Sequence, residues 1–217
     1  MLFRCLSFFT IIISISYITY KVVLSSYFMY ESEKLINKDM SFIQCFELNI
    51  HVVRLINNYQ FSIKKGFHKL SIARLLMMSD DLCDTNNTKD ILLYVKGSLR
   101  YNPVWAESLA FFTVYEFSLN DNIEKLNFNL KKALIYGRYE KIVQLTLIPT
   151  IIENWGLLTL SNKKLSLMLF KHVLKFEYAP YLIDFSYKNC FIKEILGLSA
   201  NPHQLNRMTL LLSKIKC

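Results

Sequence analysis

Glycine and proline are scarce, at 5 and 4 of 217 residues. So little glycine leaves no glycine-rich loop to cradle a phosphate, and so few turn formers do not suit a turn-dense β sandwich. The five cysteines, Cys5, Cys45, Cys83, Cys190 and Cys217, contain no Cys-x-x-Cys pair. That removes the common structural-zinc and thioredoxin-like motifs. None of His51, His68, His172 and His203 stands at a metal-ligand spacing. Asp80, Asp81, Cys83 and Asp84 form the one dense acidic cluster, which lacks the glycine and terminal glutamate of an EF-hand loop and reads as a solvated turn. No recognisable catalytic site emerges, and no cofactor or metal is expected.

Apolar residues, by contrast, are abundant: 53% of the chain, with 16 Phe and 13 Tyr. That is enough apolar surface for a core, and too much for a disordered chain. The formal charge is +9. Residues 163 to 217 hold nine Lys or Arg against three acidic residues, whereas residues 31 to 159 hold fifteen against fourteen. The basic excess near the C-terminus favours an anionic partner, glycan or lipid, or else solubilises one face. Aromatic and basic residues show no groove-like spacing, so nucleic acid is not the expected partner.

Cys5 to Tyr20 runs without a charge, Lys21 interrupts, and Val22 to Tyr30 continues mostly apolar. About 25 such positions, at 1.5 Å per residue, reach across a hydrocarbon core of about 30 Å. Lys21 can snorkel, and Tyr17, Tyr20, Tyr27 and Tyr30 can form an interfacial belt. Residues 1–30 are therefore expected to be a retained transmembrane signal anchor. A cleaved signal peptide and an interface-lying helix stay open as alternatives; no Ala-x-Ala site follows the apolar run. Arg4 before the run places the short flank inside. The main domain is then extracytoplasmic, and periplasmic if the source is bacterial.

Beyond residue 40 apolar residues recur at helical spacing. Ile43, Phe46, Ile50 and Val53 mark one face; Leu70, Ala73 and Met77 follow a start at Gly66; Ser79 to Thr88 is the expected loop. Ile91, Leu92, Val95 and Leu99 precede Asn102-Pro103, where a new helix should begin with Asn as cap and Pro in its first turn. That helix carries Trp105, Leu109, Phe112 and Phe117 inward. Asp121 with Glu124 suggests a capping box before Leu126, Leu130, Ala133 and Leu134. Pro149 should kink or end the next helix. Ser161 is the expected cap of a helix carrying Leu165, Leu169, Val173 and Phe176; Pro180 and Asn201-Pro202 start the last two. The expected fold is all-α: a transmembrane helix, a helical region over 31–88 ending in a polar loop, and an irregular array of helical hairpins over 89–217.

Ser98-Leu99-Arg100-Tyr101-Asn102-Pro103 overlays Ala133-Leu134-Ile135-Tyr136-Gly137-Arg138 at an offset of 35, and Val173 to Pro180 echoes it about 40 residues later. Together with Trp105, Leu109, Phe112 and Ala133 at packing positions, residues 91 to about 160 resemble degenerate tetratricopeptide repeats, although Gly97 departs from the usual position. These segments, with Trp155-Gly156-Leu157-Leu158, also resemble small membrane-anchored accessory proteins of bacterial surface-polysaccharide assembly. The resemblance implies a scaffold beside an integral-membrane polymerase or ligase rather than an enzyme. A subunit or enzyme acting on a lipid-linked substrate, and a helical effector using its basic C-terminal region on nucleic acid, remain alternatives. Two patches stand out as candidate contacts: Lys164, Lys171 and Lys175 for an anionic ligand, and Tyr136, Arg138 and Tyr139 for a protein.

Overall fold

The computed structural model describes residues 13–20, 22–24, 26–28, 30–32, 50, 52–54, 56, 66–83, 87–199 and 201–214. Among them the chain is helical, with no strand. Two compact units divide at Met1–Asn102 and Pro103–Cys217.

In the first unit, α1 (Gly66–Cys83) and α2 (Thr88–Leu99) pair as a hairpin. The expected inner face of α1 is buried, with Leu70, Ala73 and Met77 at most 8% exposed. Ile91, Leu92 and Val95 bury the facing side of α2. The expected boundary between residues 88 and 89 thus falls inside a packed helix pair. Gly66 opens α1 where space is short: a Cβ there would lie 2.7 Å from Tyr101 Cβ. The polar loop is shorter than expected because α1 continues through Cys83. The carboxylate of Asp80 accepts from the Asn87 amide at 2.6 Å, tying the end of α1 to the start of α2. Asn86-Asn87-Thr88 matches the N-glycosylation pattern Asn-x-Ser/Thr, and Asn86 lies outside the described residues.

The described residues at 13–20, 22–24, 26–28 and 30–32 are helical. Among the described residues no helix is long and apolar enough to cross a membrane. Residues 1–12, 21, 25 and 29 of the expected anchor lie outside them. Nine apolar side chains here face solvent, from Ile13 and Ile15 to Tyr27 and Tyr30. Phe28 and Ser32 are fully buried, and the Phe28 ring meets the His68 edge at 4.9 Å. The far end of the expected anchor is therefore packed against α1. Val52 is buried and Val53 exposed, the reverse of the inward face assigned to Val53; Ile43 and Phe46 lie outside the described residues.

In the second unit, α3 (Ala106–Asn120) and α4 (Ile123–Gly137) form a hairpin; α5 (Lys141–Glu153) packs on α3, and α6 (Leu160–Val173) packs on α4. After the 3-10 turn Trp155–Leu157 and α6, the short α7 (Ala179–Lys188), α8 (Ile192–Leu196) and α9 (Pro202–Lys214) close the end. The core is Leu126, Leu130, Ala133 and Leu134 of α4, Leu147, Ile148 and Ile151 of α5, and Leu169, Phe170 and Val173 of α6.

Several helix ends differ from the sequence expectation. Residues 103–105 turn, and α3 begins at Ala106 with extended Trp105 as its N-cap. Asp121 adopts the left-handed region at φ 46° and ends α3, a conformation Asp tolerates better than most residues. The cap of α4 passes to Asn122, whose side chain accepts from the Lys125 amide at 2.9 Å. Thr159, not Ser161, caps α6. Pro149 neither ends nor interrupts α5, which continues through it. The inward face of α3 also carries Ala110, Phe111 and Thr113, while Trp105, Phe112 and Phe117 are half-buried. Pro180 lies in the first turn of α7, and Asn201-Pro202 starts α9, its side chain accepting from the His203 amide at 3.0 Å.

Candidate functional site

The end of α6 carries the most chemistry. The Lys175 amide donates to the His172 carbonyl and the Phe176 amide to that of Val173, both at 3.0 Å, so the chain tightens past Val173. This turn presents Lys171, His172, Lys175 and Phe176 at the edge of the unit. Lys171 also suits the negative end of α6. Phe176 is 44% exposed, not inward as its spacing suggested, because α6 ends three residues before it.

Buried Gln144 of α5 lies behind this turn. Its amide Nε2 donates to the Arg138 carbonyl at 2.6 Å and approaches His172 Nδ1 at 2.7 Å, while its Oε1 accepts from the Tyr178 hydroxyl at 2.6 Å. An amide that donates to Nδ1 leaves His172 neutral with its proton on Nε2. Burial and, second, the charge of Lys175 hold the His172 pKa below its ordinary value. Burial, then Glu177, raises that of the Tyr178 hydroxyl. Both groups are thereby kept neutral around Gln144.

Aromatic rings surround this centre. The Tyr139 edge meets His172 at 4.9 Å, and His172 meets Phe176 at 4.7 Å. Phe176 stacks on Tyr178 at 5.5 Å and 7°. Lys141 lies over Tyr178 at 5.3 Å and Arg138 over Tyr139 at 4.8 Å. Each ring thus already has a neighbour on a face or an edge.

Two cavities flank the turn. One, of about 430 Å3, is lined by Tyr139, Lys141, Lys175, Phe176, Glu177 and Tyr178. Its Lys141 is partly neutralised by Glu177 at 3.8 Å. The other, of about 420 Å3, is lined by Lys171, Leu174, Lys175, Phe176, Leu198, Ser199, Asn201 and Gln204. Gln204 braces it: its Nε2 donates to the Leu174 carbonyl at 2.9 Å, and its Oε1 accepts from the Ser199 hydroxyl at 2.6 Å. Among the described residues no carboxylate lines this second cavity.

Of the basic patch, Lys171 and Lys175 come together on one wall, while Lys164, two helical turns earlier on α6, lines neither cavity. Of the aromatic patch, Tyr139 lines the first cavity and Arg138 packs on it, whereas Tyr136 lines neither cavity and stands 52% exposed. Gln144, Lys141 and Tyr178 were not anticipated. The signal for Gln144 was present as a lone amide inside the apolar run of α5; nothing in the sequence announced that Tyr178 would reach it. Among the described residues, no three of His, Cys, Asp and Glu are grouped to hold a metal. Cys190 is disulfide-bonded.

No protein-family model matches the chain, and no curated protein or solved structure matches it either.

Proposed function

We propose that this chain is a non-enzymatic accessory protein, anchored to a membrane by its N-terminal segment and serving an integral-membrane partner from the extracytoplasmic side. The observation that carries this reading is the apolar surface on the helical residues between 13 and 30. Ile13, Ile15, Tyr17, Ile18, Tyr20, Val22, Val23, Tyr27 and Tyr30 are each more than half exposed. Contiguous apolar surface of that kind is costly in water and marks a lipid or protein contact. The tyrosines at 17, 20, 27 and 30 suit the interfacial belt of an anchor.

The pairing of α3 with α4, and the packing of α5 on α3 and α6 on α4, support a tetratricopeptide-like array. Such an array offers a continuous surface to a partner, and a polymerase or ligase of surface-polysaccharide assembly is the partner class we propose. The neutral, mutually hydrogen-bonded state of Gln144, His172 and Tyr178 favours a structural centre over general acid–base chemistry.

Membrane fractionation with carbonate washing, followed by protease treatment of sealed vesicles, tests the reading. Retention in the pellet and digestion only from the extracytoplasmic face are expected. Release of intact protein by carbonate, or protection on that face, overturns it. Crosslinking in membranes should then recover an integral-membrane neighbour reproducibly.

A further inference from the structure

The cavity between the end of α6 and the start of α9 concentrates positive charge, with no counter-ion among its described lining residues. Lys171 and Lys175 are four residues apart and share its wall. Among the described residues neither lysine has a carboxylate partner within ion-pair distance, although nearby cations do: Lys141 meets Glu177 and Arg207 meets Asp184.

The start of α9 adds little of its own, because Pro202 has no amide hydrogen and the His203 amide is already bonded to Asn201. The pull on an anion therefore comes from the two ammonium groups. Polar Ser199 and Asn201 line the same space, and Leu174 and Leu198 give it an apolar side.

Phe176 also lines this cavity, with its ring stacked on Tyr178. A compact oxyanion needs no stacking platform. Lysine ammonium groups bind phosphate as point charges and gain strength when charge-assisted.

We propose that this cavity is a binding site for a phosphomonoester, with Lys171 and Lys175 holding the phosphate and Leu174 and Leu198 flanking the carbon portion. The inference goes beyond the accessory role and does not depend on membrane attachment. The same chemistry occurs in a free sugar or glycerol phosphate and in the headgroup of phosphatidic acid.

The test uses the full chain in detergent micelles, titrated calorimetrically with glycerol 3-phosphate, and in parallel its capture by phosphatidic acid and phosphatidylcholine vesicles. Lys171→Gln and Lys175→Gln should each weaken binding about tenfold or more, whereas Lys164→Gln stays within about twofold. Circular dichroism checks that all three variants keep the helical fold. Nuclear magnetic resonance adds a second readout: bound phosphate offsets the Lys175 charge and should move the His172 titration upward. Calorimetric binding without preference for phosphatidic acid assigns a soluble ester, and vesicle preference lost in Lys175→Gln assigns the lipid; both sustain the site. The proposal fails if neither probe binds, or if Lys164→Gln weakens binding as much as the other two, which would mean diffuse charge attraction.

Discussion

The side-chain amide of Gln144 sits 2.7 Å from Nδ1 of His172, joining the first turn of α5 to the end of α6 across 28 residues. The same side chain accepts from Tyr178 and donates to the Arg138 carbonyl. One buried amide thus fixes the ends of two helices and the loop that follows, and it does so only while His172 is neutral.

Acid should loosen this end of the unit. The folded-state pKa of His172 lies below its ordinary value near 6.5, so the unfolded chain takes up the proton first as pH falls. The stabilising contribution is complete above pH 6.5 and diminishes as pH drops from there through the folded pKa. Urea midpoints measured at pH 7.5 and 5.5 should fall on acidification, and the difference should shrink in His172→Gln. An unchanged difference would show that other groups set the pH dependence.

Gln144→Ala should be among the more disruptive single changes in the second unit. It strands the Tyr178 hydroxyl and the Arg138 carbonyl and leaves a cavity at a fully buried position. A loss of about 3 kcal/mol is expected. Chemical denaturation measures it, and a loss below about 1 kcal/mol would mean that water replaces the amide without strain.

Gly137 ends α4 against α3 and α5. A Cβ at that position would lie 2.5 Å from Ala106 Cβ and 2.9 Å from Val143 Cγ2. Gly137→Ala should therefore destabilise by about 1–3 kcal/mol through overpacking, even though alanine favours helices. Adding Ala106→Gly should recover part of the loss, and the double-mutant cycle reads that coupling directly.

Asn127 holds the turn between α5 and α6. Its Oδ1 accepts from the Thr159 amide at 2.8 Å and from Asn162 Nδ2 at 2.9 Å, and its Nδ2 donates to the Leu157 carbonyl at 3.1 Å. Asn127→Ala should cost about 1–3 kcal/mol and speed exchange of the Thr159 backbone amide. Unchanged exchange there would rule out a bracing role.

Reduction should weaken the fold. With Cys190 disulfide-bonded, thiol-blocking reagent should leave it unlabelled until reductant is added, as mass spectrometry will show. Reduction or Cys190→Ser is expected to lower stability by about 2–4 kcal/mol. Immediate labelling of native protein would remove the bond.

Much of the helical order was legible as periodicity. Leu126, Leu130, Ala133 and Leu134 recur at helical spacing and are buried together, and Asn201-Pro202 starts α9 as its chemistry suggests. Helix ends were harder, because neighbouring candidates compete locally: Asp121 and Asn122 are both plausible caps, and the chain uses one to end α3 and the other to begin α4. Of the basic patch the sequence supplied Lys171 and Lys175. It placed Lys164 with them because three residues on one helical stripe look equivalent until a cavity selects two.

By itself, the sequence determined an all-α chain with an apolar N-terminal stretch and a basic C-terminal third, because hydrophobic spacing and charge are local properties of the chain. Only the tertiary structure decided that Gln144, His172 and Tyr178 meet, and that two lysines share one cavity. Those relationships depend on how α5, α6 and α9 pack, and contacts across some 30 residues leave no periodic trace in the sequence.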